Sequence, residues 1–257
     1  MKDGNEARRA LIKKFRKPIY RKFIEGIKKY ELITPGDRIM VCVSGGKDSI
    51  TLSLLMEELY LHGNRNFELV HVMMNPGFEN DYVEHIKNIY DTLGIELKIF
   101  NTDIFKVTSD MAKENPCFLC ARMRRGALYG EAKKLGANKI ALGHHMDDVV
   151  QTTIMNIFMQ GAFRNMLPIL NSQNYPGIKL IRPLYLVAEE DIIKFRDYIG
   201  LESLGCRCVL SEGKIVTSRD RIRELLNNLE KEIPCIKMNI QKSIENVYLD
   251  TIINPDK

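Results

Sequence analysis

The chain reads as an α/β protein built around a parallel sheet, and three observations predict this. Ile39-Met40-Val41-Cys42-Val43 is a short apolar run, and it leads directly into Ser44-Gly45-Gly46-Lys47-Asp48-Ser49 and an apolar helix from Ile50. Further apolar runs alternate with helical patterns along the chain. That alternation puts helices on the faces of a parallel sheet and ligands at the strands' C-terminal ends. Finally, 257 residues at 45% hydrophobic and 28% charged are enough for one large cored domain with an appendage.

Taken in order, Ala7 to Tyr30 repeats Leu11, Phe15, Ile19, Phe23 and Ile27 at helical spacing, with Pro18 set to kink or divide the helix. Residues 1–30 hold eleven Lys/Arg against three Asp/Glu. The net charge of +5 is therefore concentrated in this segment. Lys13, Lys14, Arg21 and Lys22 on its polar face are candidates for tracking a nucleic-acid backbone. Phe67–Met74 is the second strand and Asn75-Pro76-Gly77 its turn. A helix over Asn80–Leu93 closes at Gly94, and Ile95–Phe100 is the third strand. Gly126–Leu135 is a helix ending at Gly136, and Lys139–Gly143 is the fourth strand. A helix at Asp148–Met159, an irregular link at Pro168–Gly177, a strand at Lys179–Ile181 and a helix from Glu189 to about Tyr198 follow. From Gly200 the pattern changes to a cysteine-bearing link and two polar helices.

No apolar stretch approaches the roughly 20 residues of a membrane span, and the N-terminus lacks a secretory apolar region. The expectation is a cytoplasmic protein with no membrane partner. In a reducing compartment its six cysteines favour metal ligation over disulfides.

The chemistry concentrates in three places. Ser44–Ser49 follows a strand and opens a helix, so its glycines let backbone approach an anion while free N–H groups and the helix dipole favour negative charge. Lys47 adds a positive charge and Ser44 and Ser49 add hydroxyls. The spacing is neither a Walker loop nor a dinucleotide fingerprint. Leu142-Gly143-His144-His145-Met146-Asp147-Asp148 again joins a strand to a helix. Adjacent carboxylates there suit Mg²⁺, with Asp148 the preferred ligand. One histidine orients nucleotide or substrate and the other packs behind it. Arg182, in Ile-Arg-Pro-Leu, is either a phosphate partner or one half of a structural ion pair. The third place is Cys117-Phe-Leu-Cys120, followed by Arg122, Arg124 and Arg125, which suit phosphate or an RNA backbone. A lone C-x-x-C serves zinc, iron–sulfur or redox chemistry alike. Cys42 reads as a core residue and Cys235 as structural or incidental.

Strand-SGGKDS is the signature of the PP-loop ATP pyrophosphatases, which this sequence resembles. Cys117-Phe-Leu-Cys-Ala-Arg-Met-Arg-Arg-Gly126, Gly136-Ala-Asn-Lys-Ile-Ala-Leu-Gly-His-His-Met-Asp-Asp148 and Ile181-Arg-Pro-Leu184 extend the likeness. Over roughly residues 10–235 the chain is similar to the tRNA 2-thiocytidine synthetase (TtcA) family. The resemblance implies ATP-dependent replacement of a pyrimidine C2 oxygen in tRNA by sulfur, through an adenylated intermediate. It implies ATP bound by Ser44, Gly45, Gly46, Lys47, Asp48, Ser49, Gly143, His144 and Arg182. Lys47, Asp48, Asp147 and Asp148 become the catalytic set. A 4Fe-4S cluster held by three cysteines is also implied, with sulfur supplied as sulfide or by a cysteine desulfurase. Cys117 and Cys120 are two ligands. The third is open between Cys206 and Cys208, and counting back from the Arg219–Leu226 helix selects Cys208; Ser211 stands where the family carries a further cysteine. The division expected is a basic arm at 1–31, the PP-loop domain at 32–199 and a helical extension at 200–257. A 2-thiouridine enzyme, a PP-loop ligase with structural zinc and a nucleotide-binding redox sensor are the competing readings. The tRNA position and the oligomeric state, a homodimer included, are open at this stage.

Overall fold

The computed structural model describes residues 1–63, 66–111, 116–202, 217–251 and 253, with side chains other than those of 109–111 and 116–118. Its described residues fall into two compact units. Met1–His145 and Leu167–Lys214 form the first, and Met146–Met166 and Ile215–Lys257 the second, so neither follows a single stretch of sequence.

The first unit is an α/β layer structure around one six-stranded sheet. Strands β1 (Arg38–Val43), β2 (Glu68–Asn75), β3 (Leu97–Asn101), β4 (Lys139–Ala141), β5 (Ile169–Asn171) and β6 (Lys179–Ile181) lie in the order β3-β2-β1-β4-β6-β5. All neighbours are parallel except β5 and β6. The irregular link expected at 168–177 thus contains a short strand. Pro168 and the polar run Ser172–Asn174 around it read as loop, and the strand forms because Leu170 pairs across to Leu180 in a hairpin. Strand order runs outward from β1 in both directions, so the crevice between the C-terminal ends of β1 and β4 is the topological switch point.

Alternate residues of β1 serve opposite faces. Ile39, Val41 and Val43 join the main core, while Met40 joins a second cluster with Val72, Tyr129, Ala132 and Ile140. Cys42 packs against that second cluster, and burial pushes its thiol up to about 12, as suits a core residue. Helices α1 (Gly4–Ile12) and α2 (Arg21–Lys29) flank a wide π-helical turn at Arg16–Tyr20 that contains Pro18. Proline lacks the N–H an unbroken helix would use there. Ala7, Leu11, Phe15, Ile19, Phe23 and Ile27 are all in the main core with β1 and helix α3 (Lys47–His62). The basic face stays outside, where Lys14 lies 3.9 Å over the Tyr198 ring and Lys22 pairs with Glu25 at 3.3 Å.

A buried ion pair ties the end of this segment to the sheet. Lys139 Nζ on β4 lies 2.6 Å from Asp37 Oδ2, both side chains 5% exposed, and donates to the Leu32 carbonyl at 2.9 Å. Asn138 Nδ2 and the Thr34 N–H also donate to Asp37. Burial alone would raise the Asp37 pKa, but these hydrogen bonds and the Lys139 charge hold it below the ordinary carboxylate range. Removing one partner strands the other's charge, so Asp37→Asn is expected to cost about 3–5 kcal/mol at pH 7. A depressed folded pKa gives stability that is present above the unfolded value of about 3.9 and lost as pH falls through the folded value. Urea midpoints of wild type and variant should therefore converge below about pH 4.

Helices α4 (Asn80–Leu93), α5 (Ile104–Met111), α6 (Pro116–Lys134) and α8 (Glu189–Ile199) complete the first unit. In the second unit, α7 (Met146–Gln160) packs Val150 with Ile222 and Leu226 of α9 (Ser218–Glu232), and Ile240 of α10 (Ile236–Ser243) borders them. Among the described residues no helix is long and apolar enough to cross a membrane.

Candidate active site

At the end of β1 the chain turns at Gly45, which has φ +83°, and α3 begins at Lys47. The Ser44 N–H donates to Ser49 Oγ at 3.2 Å, and that hydroxyl donates to the Gly46 carbonyl at 2.9 Å. Ser49 thus closes the loop from inside. Tyr82 Oη donates to the Ser44 carbonyl at 3.3 Å from α4. A Cβ on Gly45 would lie 2.6 Å from Tyr82 Oη and 2.7 Å from Ile86 Cδ1. Gly45→Ala therefore combines a positive φ with overpacking and should destabilise by about 2 kcal/mol or more. It should also weaken ATP binding in titration calorimetry, because the loop must shift.

Lys47 lies between two carboxylates, 3.1 Å from Asp48 Oδ1 and 3.0 Å from Glu189 Oε1. Burial by itself would lower the Lys47 pKa, but the two carboxylates outweigh it and hold it above its ordinary value. The side chain is an ammonium at neutral pH. Burial raises the Asp48 pKa against the pull of His145 and Lys47. His145 Nε2 lies 3.8 Å from Asp48 and 4.0 Å from Glu189. Sequence reasoning missed Glu189. It stands at the start of α8 beside Glu190 and Asp191, where an acidic first turn reads as complement to the helix dipole. Only folding brings it 142 residues back to Lys47.

The β4 loop meets the β1 loop directly. A Cβ on Gly143 would lie 3.1 Å from the Asp48 carbonyl carbon and 3.2 Å from the Ser49 nitrogen. His144 is half-buried and His145 buried. Arg182, 8% exposed, donates from Nη1 to the Leu167 carbonyl. Asp147 and Asp148 belong to the second unit. Asp147 is buried and pairs with Lys237 Nζ at 3.1 Å, while Arg219 Nη1 donates to Asp148 at 3.2 Å. Burial lowers the Lys237 pKa, but Glu230 and Asp147 outweigh it.

Asp48 Oδ1 is buried and makes no hydrogen bond among the described residues beyond its ion contacts. Such an oxygen fits Mg²⁺, which takes one or two carboxylates with phosphate and water.

Cys117 and Cys120 share helix α6, three residues apart. Cys120 is buried against Met74 and Ile104, with Met123, Ala127 and Leu128 around them. Its sulfur is a soft donor of the kind that holds iron–sulfur clusters. The side chain of Cys117 and both Cys206 and Cys208 lie outside the described residues. Arg122 and Arg125 are exposed and Arg124 half-buried.

A parallel sheet whose switch point carries a glycine turn, a clamped lysine and a facing strand loop defines an ATP-binding PP-loop domain, and the PP-loop domain family matches residues 16–229. The tRNA-cytidine(32) 2-sulfurtransferase of Pelobacter propionicus is 37% identical over 237 residues, covering 90% of this chain and 87% of that protein. Those of Vibrio cholerae and Coxiella burnetii are 39% and 35% identical over 240 residues, covering 91% and 90% of this chain and 75% and 91% of theirs. The chain belongs to the tRNA 2-thiocytidine synthetase family. Its fold is also that of the U34-tRNA thiolase NcsA from Methanococcus maripaludis, solved with its [4Fe-4S] cluster. That likeness has a TM-score of 0.73 at 24% identity and covers 91% of this chain and 78% of that one.

Proposed function

We propose that this chain replaces the C2 oxygen of a cytidine in tRNA by sulfur at the expense of ATP. The observation that carries it is the clamped Lys47 at the β1–β4 crevice, in a chain that matches 2-sulfurtransferases over nine-tenths of its length. In this reading the backbone N–H groups of Ser44–Ser49 receive the β,γ-diphosphate, and Lys47 neutralises it. Asp48 takes Mg²⁺, or in its place Asp148, the ligand the sequence prefers. His144 and Arg182 belong to the nucleotide's surroundings. The cytidine C2 oxygen bonds to the α-phosphorus, the α–β phosphoanhydride bond breaks, and its electron pair leaves with pyrophosphate. Sulfide, free in solution or released from a desulfurase persulfide by a two-electron thiol reductant, then forms the C2–S bond, and C2–O cleaves with AMP as leaving group. The protein's part is positioning and charge neutralisation rather than covalent work. Cys117, Cys120 and Cys208 would hold a 4Fe-4S cluster, which would supply the chemistry for carrying the sulfur. Lys13, Lys14, Arg21 and Lys22 carry part of the tRNA backbone, and the reaction is placed in the cytoplasm.

The test is nucleoside mass spectrometry of tRNA from a strain lacking this protein. Loss of 2-thiocytidine, restored by wild type, supports the reading. Loss of 2-thiouridine instead reassigns the pyrimidine, and an unchanged profile removes tRNA thiolation.

A further inference from the structure

Helix α6 has two working faces. Cys120, Met123 and Ala127 turn inward to Met74 and Ile104. At 100° per residue, Arg122, Arg125 and Tyr129 fall on the opposite side. They form one wall of an open cleft of about 870 Å³, whose other wall is the turn of the β5–β6 hairpin from Leu170 to Tyr175.

The walls are held in place from within the first unit. The Tyr129 and Tyr175 rings stack 5.1 Å apart at 9°, Tyr175 Oη donates to the Gly126 carbonyl at 3.4 Å, and the Tyr175 N–H donates to Ser172 Oγ at 3.1 Å. Among the described residues no carboxylate lines the cleft. Arg122 and Arg125 are exposed one turn apart, and neither guanidinium is paired among the described residues. Asn171, Gln173 and Asn174 are exposed on the facing wall, and their amides make no internal hydrogen bond there. Two unpaired planar cations oppose three amides that both donate and accept. That chemistry suits a phosphodiester strand, with guanidiniums on phosphate and amides on sugar hydroxyls or base edges.

We propose that this cleft is a docking subsite for an RNA strand of the tRNA substrate, away from the nucleotide that reacts. The proposal rests on the tRNA reading above. Because the cleft and Cys120 are on opposite sides of α6, the subsite contributes affinity and not chemistry.

The experiment uses the full chain, reconstituted anaerobically, with R122Q/R125Q and N171A/N174A. Filter-binding titrations with tRNA across salt concentrations should show Kd raised about tenfold for the arginine pair. The slope of log K against log salt should become shallower by about 1.4–1.8, as expected for two lost phosphate contacts. The asparagine pair should weaken binding without changing the slope. Both should raise KM for tRNA and leave kcat at saturating tRNA unchanged. K133Q/K134Q removes the same charge from α6 outside the cleft and should stay within about twofold of wild type. Wild-type affinity in R122Q/R125Q overturns the subsite, as does an equal loss in K133Q/K134Q or a fall in kcat at unchanged KM. Those outcomes leave thiolation by the wild-type protein intact. A wild-type protein that neither binds nor thiolates tRNA overturns the functional reading, and the subsite falls with it.

Discussion

Lys47→Ala is expected to abolish thiolation and pyrophosphate release while the protein stays folded. The ammonium is fixed between Asp48 and Glu189 at the first helical residue after the glycine turn, where a diphosphate would be received. Its raised pKa keeps it charged at any pH where the enzyme would work. A preorganised charge of this kind is worth about 10²–10³ in rate. The loss should be larger here, because Asp48 and Glu189 would then face the incoming phosphates without a cation between them. Lys47 is half-buried in a polar crevice outside the apolar core, and Asp48 and Glu189 stay partly exposed, so thermal unfolding should move by only a few degrees. Release of pyrophosphate at the wild-type rate would take this loop out of the active site. Asp48→Asn should impair the same step by removing the oxygen offered to Mg²⁺. It should also shift the Mg²⁺ dependence of ATP binding, a readout that a merely structural residue would not move.

Cys120→Ala is the second large effect. After anaerobic reconstitution it should lose most iron, the visible absorbance of the cluster and all thiolation, as should Cys117→Ala and Cys208→Ala. Cys206→Ala and Cys235→Ala should retain all three. Cys120 sits in an apolar pocket with Met74 and Ile104, and alanine keeps that pocket apolar, so a folded apo protein is expected. Cys235 is exposed and stands with φ +68° just before α10, in the second unit. Iron content unchanged in every variant would remove the cluster. Loss in Cys206→Ala with retention in Cys208→Ala would move the third ligand by two residues.

Much of the molecule was legible along the chain because its signals are local. The β1 run, the glycine turn and the α3 helix are contiguous, and the period of apolar residues is set by backbone geometry that operates over a few residues. The same holds for α4 with its Gly94 cap and for the apolar stripe of α1 and α2. Helix α6 begins earlier than the expected Gly126, since Pro116 is a good first helical residue and the cysteine turn continues into it. Strand β5 was not legible, because Ile169-Leu170-Asn171 lies between Pro168 and the polar run Ser172–Asn174 and reads as loop until it pairs with β6.

The sequence by itself determined the sheet class, the glycine turn after β1, the cysteine pair and the family. Tertiary structure alone decided which distant groups meet. Glu189 reaches Lys47, Gly143 abuts Asp48, Lys139 neutralises Asp37, and Lys237 and Arg219 hold Asp147 and Asp148. It also set α7 with α9 and α10, helices separated by the whole of β5 to α8. The physical reason is one of range. Propensity, capping and turn chemistry are fixed within a few residues, whereas a charge is matched through space, and its partner can stand anywhere along the chain that the fold returns to the same point.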